Sequence, residues 1–131
     1  MIIADTDVLI DYLRGRTPMA ARVELELQSR SFCTTAVTAF ELWTGAKSER
    51  QSAAVELLLA AMVILPLEME AARRGAALRR VLLSRGEDIG MADSLIAGIC
   101  LHAGGTLLTR NRRHFERIDG LKLSVAYGEE P

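Results

Sequence analysis

Three carboxylates in this 131-residue chain stand among apolar neighbours. Asp5 closes the run Ile2-Ile3-Ala4, Glu41 lies within Ala39-Phe40-Glu41-Leu42-Trp43, and Asp93 follows Gly90-Met91-Ala92 and precedes Ser94-Leu95-Ile96. Taking an isolated carboxylate out of water costs on the order of several kcal/mol unless it is paired, hydrogen-bonded or bound to a cation. The chain has only two lysines, Lys47 and Lys122, and neither lies in such a setting. Acids that gather without basic partners suit a hard divalent cation, which takes oxygens from one or two carboxylates, from waters and from substrate phosphate. Mg2+ is the expected ion, with Mn2+ as the alternative, and either would offset the repulsion that raises carboxylate pKa values. Each acid also has an ordinary reading. Asp5 and Asp7 could cap a helix, Glu41 could be a solvated helix residue, and Asp93 could complement a helix dipole.

The elements that must position these acids alternate in type. Ile2 to Ala4, Ser31 to Thr35, Met62 to Leu65 and Thr106 to Thr109 read as strands, and Leu121 to Val125 as a fifth. Val8 to Leu13 reads as a helix stopped by Gly15, and a second helix over 19–27 has Pro18 in its first turn. Further helices are expected over 36–46, 49–61, 67–83 and 91–102, the last rich in small residues that would let it pack closely against a sheet. Strands alternating with helices imply an α/β domain: a central parallel sheet of four to five strands flanked by helices. Ligands in such sheets bind outside the carboxyl ends of the strands, which is where Asp5 falls.

Composition narrows the function classes. Half the residues are hydrophobic, a quarter are charged, and the net charge is -1. That excludes a disordered or collagen-like chain and a uniformly basic nucleic-acid binder, but not one whose arginines are segregated from its acids. Cys33 and Cys100 show no metal-type spacing and are expected as reduced, buried thiols. The longest uncharged apolar run, Leu57 to Leu67, has 11 residues, against the ~20 of a spanning helix. No basic segment precedes Asp5, so the expectation is a cytoplasmic protein without a membrane segment.

Four stretches, in order, carry a resemblance: IIADTDVLIDYLRG at 2–15, TTAVTAFELWTGA at 34–46, DIGMADSLIAG at 88–98 and TLLTRNRRHFERIDGL at 106–121. Together they resemble the PIN-domain ribonucleases, specifically toxins of the VapC type. The likeness covers essentially the whole chain, so residues 1–131 are expected to form one PIN domain. It implies a metal-dependent endoribonuclease in which Asp5, Glu41 and Asp93 form the acidic cluster. Asp5 and Asp93 would hold the metal, Glu41 or Asp5 would orient or deprotonate the attacking water, and Thr6 would support the carboxylates. The fourth family position is often acidic and here is Asn111, which leaves the number of metals, one or two, open. Asp7 stands where the family often has Asn and is secondary. His114 stands where some members have an acid; it and His102 are expected as surface residues.

The resemblance also implies partners: an RNA substrate, a second copy in a homodimer, and a small VapB-like antitoxin whose tail covers the groove. A heterotetramer or larger complex with the antitoxin is within this expectation. The apolar faces of the helices at 19–27 and 36–61 are the expected antitoxin surface. Arg110, Arg112 and Arg113, with His114 and Arg117, form a basic patch after the fourth strand, and Arg14 and Arg16 follow the first helix. These are the candidates for RNA phosphate contacts, against the alternative of a solvated basic turn. Arg73, Arg74, Arg79, Arg80 and Arg85 read as a solvated face or a partner surface. Two other functions remain: a PIN fold that grips RNA or a partner without cutting, and an aspartyl-phosphate phosphatase of the haloacid-dehalogenase type. In the phosphatase, Asp5 would be the nucleophile and Asp7 the acid.

Overall fold

The computed structural model describes residues 1–124. Five strands of three residues each, β1 (Ile2–Ala4), β2 (Cys33–Thr35), β3 (Val63–Leu65), β4 (Thr106–Leu108) and β5 (Lys122–Ser124), form one sheet. Their order is β3-β2-β1-β4-β5 and every pairing is parallel, with Ile3 opposite Cys33 on one side and Leu107 on the other. The α/β expectation holds, and β1 lies at the centre. The fifth strand ends at Ser124, and Val125 falls outside the described residues.

Alternation along the strands divides the core into two layers. Ala4 and Leu108 join Val8, Leu9, Met19, Val23, Leu42 and Leu58, from α1 (Thr6–Leu13), α2 (Met19–Leu27), α3 (Ala36–Gly45) and α4 (Glu49–Ala60). Ile3, Cys33 and Leu107 join Leu82, Ile96, Ala97, Cys100 and Phe115 on the other side. Those belong to α5 (Met69–Ser84), α6 (Met91–Ala103) and the short α7 (Arg112–Phe115). Burial pushes the Cys100 thiol up to about 12 and Cys33 in the same direction, so both are inert core groups.

Several boundaries differ from expectation for local reasons. Pro18 lies just before α2 as its cap, and the helix expected from Leu67 starts at Met69, after an extended Glu68. β3 is a sheet edge, so Val63 and Ile64 are exposed although the run is apolar. The helix α6 packs on the sheet as expected, through Ala97 and Cys100, and Gly98 also brings it close to helix α5. A Cβ on Gly98 would meet the Ala71 carbonyl and lie 2.7 Å from the Gly75 nitrogen, and one on Gly75 would lie 3.0 Å from the Ser94 carbonyl. This contact locks α6, and with it Asp93, onto the rest of the layer. Among the described residues no helix is long and apolar enough to cross a membrane.

Candidate active site

β1 delivers Asp5 to the carboxyl edge of the sheet, and its extended backbone there lets the side chain cap α1. Oδ1 accepts from the Thr6 backbone N–H at 2.8 Å, and Oδ2 accepts from the Thr109 hydroxyl at 2.7 Å. The capping reading of Asp5 therefore holds. Ending β4 at Leu108, one residue short of expectation, leaves Thr109 at the strand end beside Asp5. Asp5 is 4% exposed. Burial, then the charges of Asp7 and Asp93, push its carboxyl up to about 7, although the Thr109 hydroxyl and Thr6 N–H pull the other way. No ion pair reaches Asp5 among the described residues.

The remaining candidates assemble around it. Thr35 caps α3 through its hydroxyl, which accepts from Thr38 N–H at 3.0 Å, and this helix start places Glu41 one turn further on. The Thr6 hydroxyl donates to Glu41 Oε1 at 2.6 Å and lies 3.0 Å from the Thr38 hydroxyl, so it ties α1 to α3. Glu41 also lines a cleft of about 200 Å³ between α1, α3 and α4, with Arg14, Leu13, Leu42 and Val55 among its neighbours. Asp7 follows in the first turn of α1; burial raises its carboxyl pKa, while the Arg110 backbone N–H, 3.4 Å from Oδ1, opposes the rise.

Asp93 arrives in the first turn of α6, after Gly90 at φ 91. Its Oδ2 lies 2.9 Å from His114 Nδ1, and the same nitrogen lies 2.8 Å from Asn111 Nδ2. His114 is a surface residue as expected, its side chain 46% exposed, but it also lies against both Asp93 and Asn111. Asn111 precedes α7, and its backbone N–H donates to the Thr109 hydroxyl at 2.9 Å. Asp5, the Thr109 hydroxyl and the Asn111 backbone N–H are linked by hydrogen bonds, and His114 Nδ1 either donates to Asp93 as an N–H or accepts from the Asn111 amide as a lone pair, one at a time. His102 is a surface residue as expected, 3.4 Å from exposed Glu68.

A PIN domain family model matches residues 2–121. The chain belongs to the PIN-domain family. It is 30% identical over 122 residues to the tRNA(fMet)-specific endonuclease VapC of Shigella flexneri, covering 90% of this chain and 92% of that protein. It is 32% identical over 124 residues to ribonuclease VapC1 of Methanocaldococcus jannaschii, covering 95% and 85%. Among solved structures, DNA-bound VapBC from Salmonella typhimurium superposes with a TM-score of 0.85 at 30% identity, covering 95% of this chain and 96% of that one.

As a PIN domain the chain leaves no place for the phosphatase reading. Lys122 bonds the Gly104 carbonyl at the amino end of the sheet, the opposite edge from Asp5. The basic patch is less free than its sequence suggested: Arg110 pairs with Asp11 at 2.8 Å, Arg112 with Glu116 at 3.5 Å and Arg117 with Glu87 at 3.4 Å. Arg73 and Arg74 pair with Glu70 and Arg79 with Asp88 on the wet side of α5, in keeping with a solvated face. Sequence reasoning missed Thr38, Asp11 and the role of His114. The usable signals were spacings: Asp11 lies four residues after Asp7, and His114 three after Asn111.

Proposed function

We propose that this PIN domain is an endoribonuclease that hydrolyses RNA phosphodiester bonds with a divalent ion, Mg2+ or Mn2+, held by Asp5 and Asp93. Asp5 carries the reading. It is a buried carboxylate at the carboxyl end of the central strand, raised to about 7 by burial, Asp7 and Asp93, and left without an ion pair among the described residues. The donor set is hard oxygen throughout, which suits these ions. No three His, Cys, Asp or Glu side chains converge as a ready-made cage among the described residues. Mg2+ sites are commonly of that kind, one or two carboxylates completed by waters and substrate phosphate oxygens. When bound, the ion polarises the scissile phosphate and lowers the pKa of a bound water toward neutrality.

The protein's own groups supply the rest. Glu41 is held through Oε1 by Thr6, and its other oxygen makes no hydrogen bond among the described residues. That oxygen is placed to take the proton of an attacking water. Asp93 is steadied by the His114 Nδ1–H, and Asn111 lies beside that imidazole without adding charge. Arg14, Arg110, Arg112 and Arg113 hold the flanking phosphates. The relatives named VapC ribonucleases support this chemistry.

The same reading gives the chain a cytoplasmic setting, a homodimeric state and a small VapB-like antitoxin, alone or in a larger complex; the likeness to a VapBC structure supports the antitoxin. Phe40, Trp43 and Leu57 are exposed on α3 and α4, two of the helices that form the cleft Glu41 lines, and Leu25 is exposed on α2. Such a face suits a partner that also covers the acids. Phe40→Asp and Trp43→Asp are expected to release the antitoxin in pull-down while leaving the fold cooperative; unchanged capture by both contradicts the placement. A second reading, a PIN fold that binds RNA without cutting it, is favoured by Asn111 in place of an acid. Mapping cleavage sites on total RNA, with tRNA(fMet) included, plus and minus Mg2+ separates the two. Site-specific, Mg2+-dependent cuts support the nuclease, and saturable binding with intact RNA supports the binder.

A further inference from the structure

Asp11 is a buried acid that the proposed chemistry does not use. It sits one helical turn after Asp7 on α1, its side chain is 8% exposed, and Oδ2 lies 2.8 Å from Arg110 Nε. A buried carboxylate with one basic partner fixes that partner in place, because separating them would leave an uncompensated charge. Arg110 itself is different. Its side chain is 45% exposed, and beyond the Nε contact with Asp11 no ion pair or hydrogen bond reaches its guanidinium among the described residues. The charge is anchored while the donor fork stays open, and that fork matches phosphate geometry.

Its backbone is held at the site from both sides. The residue before it, Thr109, donates to Asp5 at 2.7 Å, and the Arg110 N–H lies 3.4 Å from Asp7 Oδ1. The residue after it, Asn111, opens the turn that carries His114 to Asp93. Arg112 differs on each count, since it and its partner Glu116 are both about half exposed on one turn of α7.

We propose that Arg110 is a preorganised clamp for an RNA phosphate next to the cut, and that Asp11 is the positioning residue that aims it. The proposal rests on the endoribonuclease reading and adds to it a division among the arginines. Arg110 sets the register of the strand against Asp5, whereas Arg112 and Arg113 add charge without direction. Fixing the guanidinium beforehand removes rotamer freedom that binding would otherwise have to remove. The same contact should therefore influence KM more than kcat.

The test is a double-mutant cycle on affinity for a 12-nucleotide single-stranded RNA, with Mg2+ present and Glu41→Gln in every protein to suppress cutting. Arg110→Ala is expected to weaken binding about tenfold and to lower the slope of log affinity against log salt by about 0.7, one phosphate contact on a single strand. Asp11→Asn is expected to weaken binding about fivefold at unchanged guanidinium charge. The decisive result is the double variant, which should bind no worse than Arg110→Ala alone. Arg110→Lys, which keeps charge without the fork, should recover the salt slope but not the full affinity. Thermal midpoints of the same proteins separate packing from aiming, because a purely structural pair would couple in stability but not in affinity. Additive effects of the two substitutions on affinity, or an unchanged salt slope in Arg110→Ala, would overturn the proposal. Absence of saturable RNA binding by the Glu41→Gln protein itself overturns the endoribonuclease reading instead.

Discussion

The carboxyl edge of the sheet and the seam between α5 and α6 are built on opposite principles. At the seam, Gly75 and Gly98 bring two helix backbones into contact with no charge involved. At the edge, the charges of Asp7 and Asp93 add to burial in raising the Asp5 carboxyl, and the Thr109 hydroxyl and Thr6 N–H rather than a cation contact it. The seam is stable on its own terms, whereas the edge is stable only because the rest of the molecule holds it. The contrast teaches that the site carries stored repulsion, which a bound cation would relieve and the fold otherwise tolerates.

Substitutions that act on one region and spare the other sharpen this contrast, and the largest effect is expected at Asp5. Asp5→Asn should lower RNA cleavage about 10³-fold, roughly 4 kcal/mol of barrier, while urea unfolding of the metal-free protein shows no loss of stability. Next comes Gly98→Val, for which a loss of about 3 kcal/mol is expected from the clash with α5. Denaturant midpoints measure it, and an unaltered midpoint breaks the account of the seam.

A smaller effect belongs to pH. The Asp5 pKa is about 7 in the folded protein and 3.8 at its ordinary value, so between those values the folded state holds a proton that the unfolded chain has lost. Metal-free stability from this group therefore falls as pH rises from about 4 to about 7 and is level above. Asp5→Asn should flatten that profile, and saturating Mn2+ should restore stability to the parent at pH 8 but not to the variant. Thr6→Val, which removes the hydroxyl between Glu41 and Thr38, is expected to slow cleavage about tenfold, or roughly 1.4 kcal/mol, with KM unchanged. Least of all, Arg73→Ala on the wet face of α5 should leave both the unfolding midpoint and the cleavage rate within scatter, because its pairing with Glu70 is solvent-exposed.

Legibility in the sequence followed how local each cause was. Asp5, Glu41 and Asp93 stood out because their neighbours are apolar, and burial of such segments is a short-range property. The alternation of strands and helices likewise predicts the parallel sheet, but not the strand order that puts β1 at its centre. His114 and Asp11 did not stand out, since each matters through a residue far along the chain, Asp93 and Arg110 respectively. The exposure of β3 was hidden for a related reason: an apolar run does not say whether the strand has one neighbour or two. Gly98 was legible as a small residue but not as the partner of Gly75, because helix pairing is a tertiary choice.

The account turns on cation-dependent RNA cutting at the carboxylates of the sheet edge. Single-turnover cleavage of an RNA substrate across a Mg2+ titration, comparing the parent chain with Asp93→Asn, tests it most directly. The account predicts cuts that rise and saturate with Mg2+ in the parent, vanish with chelator, and fall by about 10³-fold in the variant. Equal cleavage by the two proteins, or undiminished cutting with chelator present, would contradict it.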